Sequence, residues 1–284
     1  MLTIKFNFYI ATALTALLTM LSLIPTVHAA NVKSDKSTLT AEQVADKNAA
    51  ARGGLSAWLA VQTMSMTGKM DAGRIKPPVK PEVLMEKGRR HKPAKQEEGK
   101  LVELPFVLEM QRPRKTRLEI EFAGQTAVQV FDGVNGWKLR PFRGRREVES
   151  FTPDEMKTAA QQQDMEGVLI DYAAKGTKLV LDKVEPVEGK DAYKLNLTMK
   201  DGQVKHVWVD AKTFLDVKMD SSRKINGKQR MVATYFRNYK SVDGLQFPHL
   251  VETSVEGIKG AEKLTVERVT LNAKFDANRF MKPE

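Results

Sequence analysis

The sequence contains no cysteine among its 284 residues. Disulfide bonds therefore cannot stabilise the fold, and the hydrophobic core has to supply that stability. Because there is also no cysteine to carry an N-terminal lipid, we do not expect the protein itself to be an acylated lipoprotein. A chain of this length can bury a substantial core in one or two domains.

Catalytic motifs are missing as well. Histidine is scarce, and His91, His206 and His249 lie far apart, without the spacing of a metal site. The sequence has no Gly-x-Ser-x-Gly nucleophile elbow, no dinucleotide-binding pattern and no P-loop. We therefore expect a protein that is not an enzyme and that needs neither a cofactor nor a metal ion.

Long apolar runs are absent except near the N-terminus. Lys5 precedes the uncharged run Ala11–Ile24, and the small or aliphatic residues of Val27–Ala29 are typical of a signal-peptide cleavage site. The pattern predicts a signal peptide over residues 1–29 and a soluble mature protein. An uncleaved membrane anchor is the alternative, although the run is shorter than the ~20 residues that a span needs.

The chain carries an excess of positive charge, formally +11. This excess suits either an acidic partner, such as an anionic lipid surface or lipopolysaccharide, or a well-solvated surface. Residues 71–100 form a basic, proline-rich stretch, which we interpret as a mobile insertion between the first two strands. Aromatic residues are not interleaved with its charges, so we expect no nucleic-acid binding.

Strand periodicity is clearest over Met110–Phe142. Leu118, Ile120 and Phe122 alternate with charged residues, which places an apolar row on one face of a strand. From Gly176 onward almost every segment has strand character. The segments are separated by Asx-Gly pairs that are typical of hairpin turns: Asp201-Gly202, Asn226-Gly227 and Asp243-Gly244. The pattern predicts one large, curved antiparallel sheet.

Two regions have helical character. Thr40 and Gln43 fit a capping box at the start of the first, and Gly53-Gly54 divides this region into two short helices or bends one helix. Thr152 is a typical N-cap for the second, which we expect to continue to about Ala174. Residues 30–39 are polar, and we expect them to be a flexible N-terminus.

Several short motifs resemble the periplasmic outer-membrane-lipoprotein carriers of the LolA-like family. Arg112-Pro113 enters an alternating strand, and Val130–Gly133 with the downstream Trp137 matches the family's Asp-Gly hairpin. Tyr239–Pro248 resembles a motif of longer relatives described as sorting proteins. The resemblance extends from Thr40 to the C-terminus, so we expect one domain over residues 40–284.

The resemblance implies an α+β, mostly antiparallel fold: an unclosed half-barrel whose concave apolar face holds acyl chains beneath helices. By matching motif, Arg112 corresponds to the arginine that holds this helical lid closed through hydrogen bonds. Arg114 and Arg117 are nearby alternatives, and Arg112 can also be read as a surface arginine at a strand edge. Strand alternation adds candidates for the cavity lining: Met64, Met66, Leu118, Ile120, Phe122, Val128, Val130, Leu195, Leu197 and Met199.

We therefore expect a periplasmic carrier that moves the acyl chains of lipoproteins or lipids towards the outer membrane. Its partners would be the acylated lipoprotein or lipid cargo, an inner-membrane donor complex and an outer-membrane acceptor, and we expect a monomer. The first alternative is a periplasmic lipid-responsive sensor or regulatory binding module. The second is an enzyme that acts on an envelope substrate.

Overall fold

The computed structural model describes residues 39–75, 100–141, 145–160, 164–225 and 227–284. These residues form three helices, which are α1 (Ala41–Ala51), α2 (Leu55–Ala60) and α3 (Pro153–Ala160). They also form thirteen strands: β1 (Thr63–Ile75), β2 (Lys100–Gln111), β3 (Lys115–Phe122), β4 (Gln125–Phe131), β5 (Gly136–Arg140), β6 (Arg145–Ser150), β7 (Lys178–Val187), β8 (Lys190–Thr198), β9 (Val204–Asp210), β10 (Asp216–Ile225), β11 (Lys228–Val242), β12 (Leu245–Val255) and β13 (Ala261–Leu271). The predicted signal peptide, residues 1–29, and the predicted flexible N-terminus as far as residue 38 lie outside the described residues.

The strands of the described residues join one antiparallel sheet, in the order β6-β5-β4-β3-β2-β1-β13-β12-β11-β10-β9-β8-β7. Strands that are neighbours in the sheet are also neighbours in sequence, except where β1 pairs with β13. The sheet ends at β6 on one side and at β7 on the other, so it does not close. The predicted fold class, a mostly antiparallel unclosed barrel with a few helices, is confirmed.

One face of the sheet is covered. Residues 151–160 and 164–177 belong to the segment that connects the two edge strands, β6 and β7. Ile170 of this segment and Trp58 of α2 pack in one buried cluster with the sheet, while Val168 and Val44 of α1 pack in another. We call the covered face the inner face. We call α1, α2, α3 and residues 164–176 together the lid.

Local sequence signals set the boundaries of the first two helices. The hydroxyl of Thr40 accepts a hydrogen bond from Gln43 N at 3.2 Å, and the side chain of Gln43 accepts one from Thr40 N at 2.9 Å. The predicted capping box is therefore confirmed. Gly53 separates α1 from α2 with φ of +110°, and a Cβ there would lie 2.6 Å from the carbonyl oxygen of Gly244. Only glycine fits this close approach.

The second predicted helix is shorter than expected. It begins as predicted, because Glu155 N donates to the Thr152 hydroxyl at 3.3 Å and Thr152 N donates to the Glu155 carboxylate at 2.7 Å. However, α3 ends at Ala160, and residues 164–176 form turns. Gly167 adopts φ of +86°, which is incompatible with a right-handed helix. The prediction that this helix extends to about Ala174 was wrong.

The predicted insertion also has different ends in the structure. Asp71–Ile75 continue β1 and Lys100 begins β2, with Ile75 paired to Lys100 across the two strands. The central part of the predicted insertion, residues 76–99, lies outside the described residues. Prolines and charges predicted an interruption between strands, and composition alone did not show how far the ladder extends into the stretch.

Candidate functional site

The first half of the inner face is an apolar surface beneath α2. Register fixes the direction of its side chains, because Leu108 of β2 lies opposite Met66 on one side and opposite Leu118 on the other. Trp58 and Ile170, each 0% exposed, cover this surface from the lid. Five of the residues predicted to line a cavity belong to it: Met64, Met66, Leu118, Ile120 and Phe122.

The second half of the inner face is a separate apolar cluster beneath α1. Leu195 and Leu197 of β8 are fully buried in it, and Met199 packs against its edge. Val44 of α1 and Val168 of the connecting segment lie over it. The structure thus brings eight of the ten predicted lining residues onto one face, in two groups that are covered by different parts of the lid.

Val128 and Val130 do not share this face. In the register of β3 and β4, Val128 lies opposite Glu119, and Val130 lies opposite Arg117. The two valines pack instead with Phe280 of the C-terminal segment on the outer face of the sheet. Their assignment to the inner face is therefore corrected. The C-terminal segment covers the outer face of β4, so this strand has buried apolar residues on both faces. When both faces are buried, alternation cannot show which one faces the lid.

The lid leaves little free space above the first cluster. A cavity of about 120 Å³ lies between α3 and the sheet, lined mainly by apolar residues that include Phe106, Leu118 and Phe131, and bordered by Val130. Pockets that hold whole ligands are larger, roughly 300–1,000 Å³. A long apolar ligand can therefore reach the rest of the inner face only if parts of the lid move away from it. In the closed arrangement the lid protects an apolar surface that would otherwise promote aggregation.

Arg112 joins the lid to the sheet at the turn between β2 and β3. Its Nε atom donates to the carbonyl oxygen of Val61 at 2.8 Å, and its Nη2 atom donates to that of Trp58 at 3.2 Å. The same Nη2 atom lies 2.8 Å from the carboxylate of Glu166. The guanidinium therefore holds the end of α2 and the connecting segment at once. Its geometry suits a latch, because an arginine presents several donors in a fixed fork.

The two alternative arginines are placed differently. Arg114 is mostly exposed and touches the lid through the carbonyl oxygen of Ala160 at 3.3 Å. Arg117 points to the outer face, where it pairs with Glu119 and donates to the carbonyl oxygen of Arg279. Of the three candidates, Arg112 makes the most contacts with the lid.

Glu166 is the lid's partner for Arg112, and the sequence motifs did not identify it. Its carboxylate is buried and also lies 2.7 Å from the ammonium of Lys175. Burial by itself would raise the pKa of Glu166, but the hydrogen bonds and charges of Lys175 and Arg112 outweigh it and lower that pKa. Lys175 also donates to the carbonyl oxygens of Gly167 and Ile170, which ties the turns of residues 164–176 together.

A second polar network fixes α1. Arg52, at the end of that helix, lies 3.3 Å from the carboxylate of Asp216 in β10 and donates to the carbonyl oxygen of Glu166 at 2.8 Å. Asn48 donates to the same carboxylate at 3.1 Å. Burial raises the pKa of Asp216, although Arg52 and Asn48 oppose the rise. The network connects the lid to the second half of the sheet.

Glu262 is an acidic residue on the inner face of β13. It lies opposite Thr253 and two residues before Leu264, which faces Met70. Burial, reinforced by the charge of Asp71, raises the pKa of Glu262 to about 7. The carboxyl group of Glu262, at the rim of the apolar face, therefore changes its protonation state near neutral pH.

We expect Glu262→Gln to stabilise the protein at high pH. The pKa of Glu262 in the folded state lies above the ordinary value of about 4.3, so the wild type loses stability as the pH rises between those two values. Glutamine does not titrate and should add on the order of 1–2 kcal/mol at about pH 8 and almost nothing near pH 4. Urea unfolding at both pH values measures the difference. The matched control is Glu267→Gln, at an exposed position of the same strand. An equal gain at both pH values would contradict the prediction.

The described residues contain no group of three or more histidine, cysteine, aspartate or glutamate side chains that could hold a metal ion. His206 Nδ1 lies 2.6 Å from Asp220, and His249 Nδ1 lies 3.1 Å from the carbonyl oxygen of Phe247. Both histidines thus have ordinary partners within the sheet. Among the same residues, no helix has the length and apolar character needed to cross a membrane.

The sheet, its apolar inner face and the helices over that face together define a lidded, unclosed antiparallel barrel. No family model and none of the curated proteins compared matches the sequence. Solved structures do match the fold. A LolA superfamily protein from Nitrosomonas europaea superposes with a TM-score of 0.52 at 14% identity, over 86% of this chain and 99% of that one.

Two other structures give similar values. An outer membrane lipoprotein-sorting protein domain from Vibrio parahaemolyticus has a TM-score of 0.51 at 13% identity and covers 85% of this chain and 96% of its own. A DUF1329 family protein from Desulfovibrio piger has a TM-score of 0.52 at 14% identity, with 84% and 96% covered. The chain therefore has the LolA-like fold that its motifs predicted.

Proposed function

We propose that this protein is a non-enzymatic periplasmic carrier that binds the acyl chains of lipoproteins or lipids on its inner face. The observation that carries the proposal is the pair of apolar clusters on one continuous face, both beneath a lid held by polar contacts. The LolA-like fold, shared with a lipoprotein-sorting domain, supports it. Burying an acyl chain is favourable by about 0.8 kcal/mol per methylene, so one long chain contributes on the order of 10 kcal/mol before ordering costs.

The predicted signal peptide would export the protein to the periplasm, between the inner and the outer membrane. An exported carrier would receive cargo from a donor complex in the inner membrane and deliver it to an acceptor in the outer membrane. In this scheme cargo and lid compete for the same apolar surface. Loading displaces lid residues from the inner face, and closure of the lid helps to expel the cargo. We propose that the carrier acts as a monomer.

Mass spectrometry of lipids and proteins that co-purify with the protein from its native envelope tests the proposal. We expect acylated lipoproteins or lipids in stoichiometric amounts. An empty protein that captures one inner-membrane regulator would instead establish the sensor or regulatory module. Turnover of an envelope substrate would establish the enzyme. Either result would overturn the carrier.

Replacing Arg112 with leucine is expected to strengthen cargo binding and to slow cargo release. The substitution removes three hydrogen bonds made by a charged group, and a loss of about 2 kcal/mol would shift the balance towards the open lid by roughly 30-fold. The affinity for a fluorescent fatty acid and the rate of its transfer to acceptor vesicles measure both effects.

Two further variants show whether the effect belongs to the latch. Arg268→Leu makes the same change at an exposed position of β13 and should leave affinity and release unchanged. Arg112→Lys keeps the positive charge but loses the forked set of donors. Its affinity for the fatty acid and its transfer rate should therefore lie between those of Arg112→Leu and the wild type. If Arg112→Leu folds normally and transfers cargo at the wild-type rate, Arg112 is not a latch.

A further inference from the structure

A larger cavity of about 430 Å³ lies beside the second apolar cluster, between the lid and the turn that joins β8 to β9. Lys205 of β9 forms part of its lining. This residue is only 5% exposed, and it lies opposite Ser221 on the inner face. Across the part of the chain that the structure describes, the Lys205 ammonium has neither a hydrogen-bond acceptor nor a carboxylate within ion-pair distance.

A second cation, the half-buried Arg223, lies close enough to Lys205 to affect its charge. Arg223 follows Ser221 by two residues in β10, so it is on the same face, and it also has no ion-pair partner among the described residues. Burial, together with the positive charge of Arg223, lowers the pKa of Lys205 to about 8, while Asp201 opposes this shift only in part. An unpaired lysine in a poorly solvated place is costly for a folded protein, since it lacks the partner that would offset its desolvation, and the like charge of Arg223 adds to this cost.

The carboxylates around the cavity offset the charge of these two cations only in part. Asp164 is engaged by Lys175 at 3.5 Å and by Arg114 at 3.7 Å. Asp201 accepts a hydrogen bond from Gln203 N at 3.0 Å within the β8–β9 turn. A local excess of positive charge therefore remains at one end of the cavity.

The other end of the cavity is apolar. Val168 of the lid and Met199 belong to both the cavity wall and the second apolar cluster. Leu197, which is fully buried in that cluster, pairs with Lys205 across β8 and β9. The cationic end and the apolar cluster are thus adjacent on one surface, which matches the two parts of an amphiphile.

We propose that this cavity binds the anionic headgroup, a phosphate or a carboxylate, of an amphiphile whose acyl chain lies along the second apolar cluster. This inference rests on the proposed function and narrows the cargo to negatively charged lipids. Lys205 supplies a charge-assisted hydrogen bond to the headgroup, which gives this buried cation the partner that it lacks in the protein alone, and the positive charge of the nearby Arg223 adds electrostatic attraction. The cavity volume lies within the range of ligand pockets.

The test compares three probes on the full-length protein by isothermal titration calorimetry: dioctanoyl phosphatidic acid, the neutral dioctanoylglycerol and inorganic phosphate. We expect the wild type to bind the phosphatidic acid at least about tenfold more tightly than the neutral lipid. In Lys205→Met the ratio of the two dissociation constants should fall to near one, and Arg223→Met should lower it as well. Lys178→Met, at an exposed position of β7, is the control and should keep the wild-type ratio.

Stability measurements separate loss of the site from loss of the fold. Lys205→Met removes an unpaired buried charge, so its melting temperature should equal or exceed that of the wild type. Equal affinity of the wild type for the charged and the neutral lipid would overturn the headgroup site and leave the carrier intact. Binding of neither lipid would overturn the carrier itself. Inorganic phosphate that binds as tightly as the phosphatidic acid would show a site for a free anion and would also overturn the inference.

Discussion

Replacing Trp58 with alanine is expected to lower the free energy of unfolding by about 3–5 kcal/mol, and this loss should accompany partial release of α2 from the sheet. Trp58 is fully buried and packs on Phe247 with ring centroids 5.0 Å apart. Its indole N–H donates to the carbonyl oxygen of Arg52 at 3.0 Å. Alanine would remove the ring from the first apolar cluster and leave a void that the short helix cannot fill.

Urea unfolding followed by circular dichroism measures this loss. Leu59→Ala is the matched control, because Leu59 belongs to the same helix but is 43% exposed, and its substitution should change stability by less than about 0.5 kcal/mol. Trp58→Ala should also bind a hydrophobic dye such as ANS more strongly, since the first apolar cluster becomes accessible. A loss no greater than that of the control would show that α2 does not depend on this anchor.

Arg52→Met is expected to cost about 3–5 kcal/mol near neutral pH, because it removes the guanidinium beside the buried carboxylate of Asp216 and leaves Asn48 and a backbone hydrogen bond to stabilise its charge. Burial already raises the pKa of Asp216, and loss of Arg52 removes the main opposing charge. The pKa in the folded variant would then lie further above the ordinary value of about 3.9 for aspartate.

This pKa shift determines how the cost changes with pH. A carboxyl group whose pKa is raised on folding loses stability as the pH rises from its unfolded value through its folded value. The destabilisation by Arg52→Met should therefore be small near pH 4 and reach its full size at about pH 8. Arg268→Met controls for the removal of an exposed arginine. A cost independent of pH would mean that Asp216 is not the group left unpaired.

Local patterns in the sequence predicted most of the sheet. The Asp201-Gly202 and Asp243-Gly244 pairs do separate β8 from β9 and β11 from β12. The alternation of Leu118 and Ile120 identified an inward row, because β3 carries charged residues on its other face. The same reasoning failed for Val128 and Val130, since both faces of β4 are buried and the covering segment is far along the chain.

The polar contacts that hold the lid could not be predicted in the same way. Arg112 was found by motif, but its partner Glu166 lies 54 residues away in sequence. Arg52 and Asp216 are separated by 164 residues. Neither pair belongs to a local pattern, and both contacts depend on where the completed sheet places the lid. The sequence also does not show that Lys205 is unpaired, because nothing in the pattern of β9 distinguishes this lysine from an ordinary charged residue beside His206.

The pairing of β1 with β13 has a consequence for how the molecule folds. On each side of this pair the strands follow one another in sequence, so each half of the sheet is a meander that can form through neighbouring hairpins. The β1–β13 contact instead joins positions such as Met64 and Leu271 across nearly the whole domain. Closing so long a loop carries a large entropic cost, which favours assembly of the two meanders before they meet. We therefore expect this central seam to be the last part of the ladder to form, although it lies in the middle of the finished sheet.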